Sequence, residues 1–140
     1  MKTTFFILTT IFLFSCTGSI NTNYQAELKN TRWVLKYFEG EKLAFNNFEK
    51  EVFIQFPLDS ENQFRGFAGC NNIFGGYIVK NDSLQFLDFA STRMSCPYNE
   101  FESRFLKALQ KTDRYKIEKD IITLFSNDNA ILKFQAMYYQ

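Results

Sequence analysis

Pro97-Tyr98-Asn99-Glu100-Phe101-Glu102-Ser103-Arg104-Phe105-Leu106-Lys107-Ala108-Leu109-Gln110-Lys111 is the stretch in which apolar residues recur at helical spacing. Tyr98, Phe101, Phe105, Ala108 and Leu109 fall on one face of a 3.6-residue period. Pro97 suits the first helical position, where a missing N–H does no harm. Glu100 and Glu102 stand near the start, and Lys107 and Lys111 near the end, so both sets of charges complement the helix dipole. Arg104, Lys107 and Lys111 form a basic stripe. It reads as a solvated outer face, with contact to anionic lipid as the alternative.

Outward from this helix, in both directions, the period changes to two. Trp33, Leu35 and Tyr37 alternate with their neighbours, as do Val52, Ile54 and Phe56, and Leu84 and Phe86. After the helix the same holds for Tyr115 and Ile117, Ile122 and Leu124, and Leu132 and Phe134. Alternation means strands with one buried face. Turn signals separate the runs: Glu39-Gly40, Pro57 to Glu61, Gly75-Gly76, Asn81-Asp82, Lys119-Asp120 and Asn127-Asp128-Asn129. The reading is about eight short antiparallel strands. One helix interrupts them instead of alternating with them. The class is therefore mainly β, or α+β, with a curled sheet packed on one helix.

The N-terminus carries an address. Met1-Lys2 is followed by an apolar run from Phe5 to Phe14, the order of a secretory leader and too short to span a bilayer. Leu13-Phe14-Ser15-Cys16 resembles a bacterial lipobox, with Phe14 where a smaller residue is usual. The resemblance implies that Cys16 is acylated and heads the mature chain, an anchor that two or more acyl chains make firm. The chain then divides into a leader over 1–16, a polar tether over 17–27 and one domain over 28–140. The expected location is the cell envelope, exported and lipid-anchored, with the outer membrane favoured over the inner.

Composition narrows the function. The 140 residues suffice for one domain, and 46% hydrophobic against 22% charged is globular. Sixteen basic residues balance 15 acidic ones, which argues against nucleic acid as partner. The absence of histidine removes His-based triads and His-ligated metals from the unaided chain. No cofactor and no metal are expected. With Cys16 lipidated, Cys70 and Cys96 remain as a pair. At this level they read as a structural disulfide, as two free buried thiols, or as a redox or metal pair.

Three segments taken together resemble the META domain, the family of HslJ-like heat-inducible lipoproteins. They are Thr31-Arg32-Trp33-Val34-Leu35, then Gly66-Phe67-Ala68-Gly69-Cys70-Asn71-Asn72-Ile73-Phe74-Gly75-Gly76-Tyr77, then Ser91-Thr92-Arg93-Met94-Ser95-Cys96. A helix with Glu102, Phe105, Leu106 and Leu109 and closing strands through Leu124 and Phe134 follow in the same order. The resemblance implies a small, conical, partly open β-barrel crossed by one helix, with the cysteines paired in exported members. It implies no established catalysis, a loose link to envelope stress and drug tolerance, and a shape similar to lipid-binding pilot lipoproteins.

The signature residues have physical readings of their own. Gly66, Gly69, Gly75 and Gly76 supply bends and close approaches; a phosphate loop would need a following helix, and a strand is expected there. Asn71 and Asn72 read as turn and backbone-bonding residues, with ligand contact as the alternative. Arg93 reads either as an internal residue, in a salt bridge or bonded to loop carbonyls, or as an anion or partner contact at the barrel mouth. Most of the 18 Phe are core, some leaving with the leader, and a partly empty interior holding an acyl chain is the minority view. Close carboxylates such as Glu49/Glu51 and Glu100/Glu102 fit solvated turns and helix ends. The expectation is a monomeric, non-enzymatic envelope binding module with a protein partner or hydrophobic ligand. The alternatives are a lipid carrier or secretion pilot, and an inhibitor or accessory of a secreted enzyme.

Overall fold

A computed structural model describes residues 25–43 and 48–138. Cys16, the leader and all but the last three residues of the tether lie outside the described residues. The order is β1 (Arg32–Phe38), β2 (Glu41–Lys42), β3 (Phe53–Gln55), β4 (Gln63–Phe67), β5 (Asn72–Lys80), β6 (Ser83–Ser91), α1 (Asn99–Gln110), β7 (Arg114–Glu118), β8 (Ile121–Ser126) and β9 (Asn129–Met137). Every neighbouring pair is antiparallel, and β1 also pairs with β9, which bends the nine-stranded sheet into a ring. The ring is weakest between β6 and β7, which meet only at Ser83 and Arg114. There the chain leaves the sheet, forms α1 and returns. The result is a mostly β, partly open barrel with one helix.

The strand count exceeds the expected eight because of β2, a two-residue strand after a tight reversal. Glu39 and Gly40 both take positive φ there, 51° and 84°, the geometry that matches hairpin twist. Asn81, Lys119, Asn127 and Asp128 also have positive φ, at three of the other predicted turns. Gly75-Gly76 is a correction. It lies inside β5, where the pairing with β6 shifts register between Gly75 and Tyr77. A Cβ on Gly75 would stand 2.4 Å from the Phe89 Cβ, so the glycine permits close approach of two strands, not a reversal. Two boundaries also move. Pro97 precedes the N-cap residue Tyr98 and is not the first helical residue. Ala26 is buried and donates its N–H to the Lys119 carbonyl at 2.7 Å, so the folded part begins before Leu28.

The interior is filled by side chains. Trp33, Phe56, Phe64, Tyr77, Phe105 and Phe134 are all fully buried. Tyr77 meets Phe56 edge-on at 4.8 Å, and Phe64 meets Phe86 at the same distance. α1 adds Phe105 and Leu109 to this core, with Phe105 against the rings of Phe38 and Phe134. Each large apolar side chain buried in this way contributes about 1.5–3 kcal/mol. Trp33 satisfies its indole N–H on the Leu28 carbonyl at 3.1 Å.

Candidate functional site

The turn joining β4 to β5 runs through Ala68, Gly69, Cys70 and Asn71. Gly69 has φ +105°, and a Cβ there would lie 3.2 Å from the Phe101 ring and 3.3 Å from Phe48. Both conformation and space therefore call for glycine. The turn brings the N–H groups of Cys70 and Asn71 onto one carboxylate oxygen of Glu102, at 3.1 and 2.7 Å. The other oxygen accepts from the Asn71 side-chain amide at 2.8 Å. Glu102 is buried, shares the apolar face of α1 with Phe105 and Leu109, and sits in the first turn, where the helix dipole favours a negative charge. Three donors and the dipole together replace its lost water.

Asn71 extends the network to the segment between β6 and α1. Its amide oxygen accepts from the Met94 N–H at 2.7 Å and the Thr92 hydroxyl at 2.8 Å. Its amide nitrogen also donates to the Met94 carbonyl at 3.3 Å. The Asn71 side chain thus bonds both main-chain groups of Met94, as a neighbouring strand would. Thr92 adds a second tie: its N–H donates to the Asn72 carbonyl at 3.1 Å, and its hydroxyl accepts from the Asn72 N–H at 3.2 Å. The Cys70–Cys96 disulfide, with a Cα–Cα distance of 6.0 Å, fastens the far end. Residues 92–95 are exposed to solvent and Cys96 is half-buried, yet the segment is held at both ends.

Arg93 projects from this segment. It is exposed and has no ion pair or hydrogen bond among the described residues, which corrects the reading of an internal residue held by a salt bridge or by loop carbonyls. Met94 beside it is 65% exposed. Asn72 opens β5 and is also exposed, with its main chain spent on Thr92. Next to the segment lies an open cleft of about 160 Å³, bordered by Phe67, Cys70, Asn72, Met94, Cys96 and Tyr98. That is below the roughly 300–1,000 Å³ of an ordinary small-molecule site. No group of three or more metal-ligating side chains occurs among the described residues, and none of the described helices is long and apolar enough to cross a membrane.

The structure joins Asn71, Asn72, Arg93, Cys70 and Cys96 into one locality. It also adds Glu102 and Thr92, which the residue patterns did not single out as site residues. Glu102, assigned above to a solvated helix end, is buried; its spacing of three and seven from Phe105 and Leu109 was the available signal. The basic stripe lies elsewhere. Arg104 pairs with Glu39, whose carboxylate, by hydrogen bond and by charge, holds the guanidinium pKa above its usual value. Lys107 and Lys111 flank an open cleft with Ala108 and Ile131.

The META domain profile matches residues 26–138. The chain belongs to the META domain family. Its fold is also that of three solved structures. A protein from Burkholderia xenovorans, solved by NMR, is 26% identical with a TM-score of 0.66, over 80% of this chain and 85% of that one. A second NMR structure is 22% identical with a TM-score of 0.61, over 77% and 90%. A DUF4847 family protein from Bacteroides vulgatus is 19% identical with a TM-score of 0.50, over 64% and 60%. No curated protein matches the chain. In this META domain the second and third resemblance segments are bonded to each other, as the β4–β5 turn and the segment before α1, while the first forms β1, which pairs with β2, β3 and β9.

Proposed function

We propose that this META domain is a non-enzymatic binding module of the cell envelope, tethered by a lipid on Cys16, and that it recognises a protein partner through residues 92–96. One observation carries the reading. The polar groups of the signature are consumed in immobilising an exposed segment. Both oxygens of Glu102 and both polar atoms of the Asn71 amide are engaged inside the protein. What remains outward is an unpaired cation and a large apolar side chain. A segment fixed before binding loses little entropy on binding. A filled interior supports surface recognition over a carried lipid. The same rigid segment favours a second reading within protein recognition, an inhibitor or accessory of a secreted enzyme. A link to envelope stress belongs to the proposal as a setting.

The test uses the full chain in a bacterial envelope with a photo-crosslinker at position 93. The expected result is one protein adduct, reproduced with purified partner and weakened at least tenfold by Arg93→Glu. Turnover of a substrate by the purified chain would overturn the reading. Cys16→Ser is expected to release the chain from membranes and to remove acyl mass from its N-terminus; an unchanged membrane fraction would reject the anchor.

A further inference from the structure

We infer that the outer face of the β5–β6 hairpin is part of the docking surface, and that its occupant is an extended segment of a protein partner carrying alternate apolar residues with a carboxylate at one end. The inference rests on the binding-module reading and extends it from one segment to a face.

Residues 72, 74, 76 and 78 of β5 point outward in alternation. Phe74 is 55% exposed and Ile78 52%. Gly76 between them has no side chain, and Leu87 of β6 lies over that gap: a Cβ on Gly76 would be 3.4 Å from Leu87 Cβ and Cδ1. Leu87 is itself 44% exposed. Phe74, Leu87 and Ile78 therefore form one strip on adjoining strands, continued past Ala90, which pairs with Phe74. At its upper end Thr92 is bonded to Asn72, and Asn72 shares a cleft with Met94. Three of the eight large apolar side chains exposed among the described residues thus fall on this one face, and a fourth, Met94, borders the cleft at its end. A contiguous apolar patch with a polar rim marks a contact surface more often than scattered leucines do.

The shape and charge of the strip select the occupant. Phe74 and Ile78 stand four residues apart on β5 with Leu87 of β6 over the place between them, so apolar groups follow one another along the strip at about 6.6 Å, the side-chain repeat of an extended chain. Arg65, paired with Phe74 across β4–β5, and Arg93 stand at the Met94 end. Asp88 lies beside Leu87. Glu49 and Lys50 line the adjoining cleft and offset each other, so the two arginines leave that end net positive and call for a partner carboxylate there and apolar residues further along.

The test places the photo-crosslinker at 74, 78 and 87 in the full chain in a bacterial envelope, with Tyr37 and Leu58 as exposed apolar control sites. The expected result is the same protein adduct at all three strip positions and none at the controls. The crosslinked partner segment, made as a synthetic peptide, is expected to show alternate apolar residues and a terminal carboxylate. It should lose at least tenfold affinity on Leu87→Ser and on Arg65→Glu, with near-ultraviolet circular dichroism unchanged. An adduct of twice the chain mass assigns the strip to a second copy and overturns the inference, as does a lipid adduct. Crosslinking at 93 with silence at 74, 78 and 87 overturns the strip and leaves the binding module standing. Silence at all four positions overturns both.

Discussion

Glu102 holds two main-chain N–H groups and one side-chain amide at a buried site, so truncating it strands all three. Glu102→Ala is expected to cost about 3 kcal/mol, because buried donors left without acceptors lose about 1–3 kcal/mol each and relax only in part. Urea unfolding followed by tryptophan fluorescence reads this, and a loss under about 1 kcal/mol would mean that water takes over the site. Asn71→Asp should be worse than Asn71→Ala, since it exchanges an amide donor for a second negative charge beside Glu102. Tyr115 gives a prediction in pH. Its hydroxyl is pushed up from the ordinary value of 10.0, first by burial, then by Asp82 and Tyr77. Above pH 10 the unfolded chain has lost this proton while the folded chain keeps it, so stability falls as pH rises through that range. Tyr115→Phe should flatten the decline, measured as unfolding midpoints from neutral pH upward; an unchanged slope would rule the group out. At this scale the sequence was readable wherever chemistry had one outlet. Asn71 as a backbone-bonding residue was within reach, and the Cys70–Cys96 bond was so through the family resemblance, since the residues alone left three readings of the pair. Arg93 was not, because a charge that cannot be lost is equally at home paired or in water, and only the surroundings decide.

Among the elements, the strands most easily read were those whose inward positions all carry side chains. β1, β8 and β9 show period two because Trp33 and Leu35, Ile122 and Leu124, Leu132 and Phe134 face the core. β4 and β5 conceal it. Gly66 occupies an inward place, where a Cβ would stand 2.3 Å from the Phe53 carbonyl oxygen, and Gly75 does the same against Phe89. The pattern lapses where the barrel walls approach too closely to admit a side chain, so two adjacent glycines mimic a turn. The glycine contacts predict different tolerances. Gly75→Ala meets main chain and β-carbon and is expected to cost about 1–3 kcal/mol, the usual range for overpacking. Gly76→Ala meets Leu87 at 3.4 Å and the Asn62 carbonyl oxygen at 3.7 Å, both ordinary contact distances, and should change stability by under about 1 kcal/mol. Thermal unfolding of the two variants side by side separates them, and equal losses would contradict the placement of both. The end of α1 is well marked by sequence. Its start is set by Tyr98, since Pro97 is spent in leading the chain out of the bonded segment.

For the molecule as a whole, the disulfide and the ring closure carry the stability argument. Cys70 and Cys96 are 26 residues apart, and a bond closing a loop of that size stabilises by about 3 kcal/mol in the chain-entropy model. Changing both cysteines to serine should lower the urea midpoint by the corresponding amount and leave the fold intact, because β4, β5 and α1 keep their own contacts. Collapse of the double variant would show that the bond is needed for folding itself. Class and helix position followed from periodicity, and the ring did not, because closure depends on which distant strands pair. β1 and β9 align Arg32 with Met137 and Trp33 with Ala136, a partnership between the two ends of the domain.

That pairing fixes an order of events. While the chain is being made, the strand that flanks β1 on its open side is the last to exist. Until it arrives, Trp33 and Leu35 have cover from one neighbour only, and the sheet has two raw edges. The domain is therefore finished only when β9 is available, and a ribosome still holding that strand keeps the barrel unsealed.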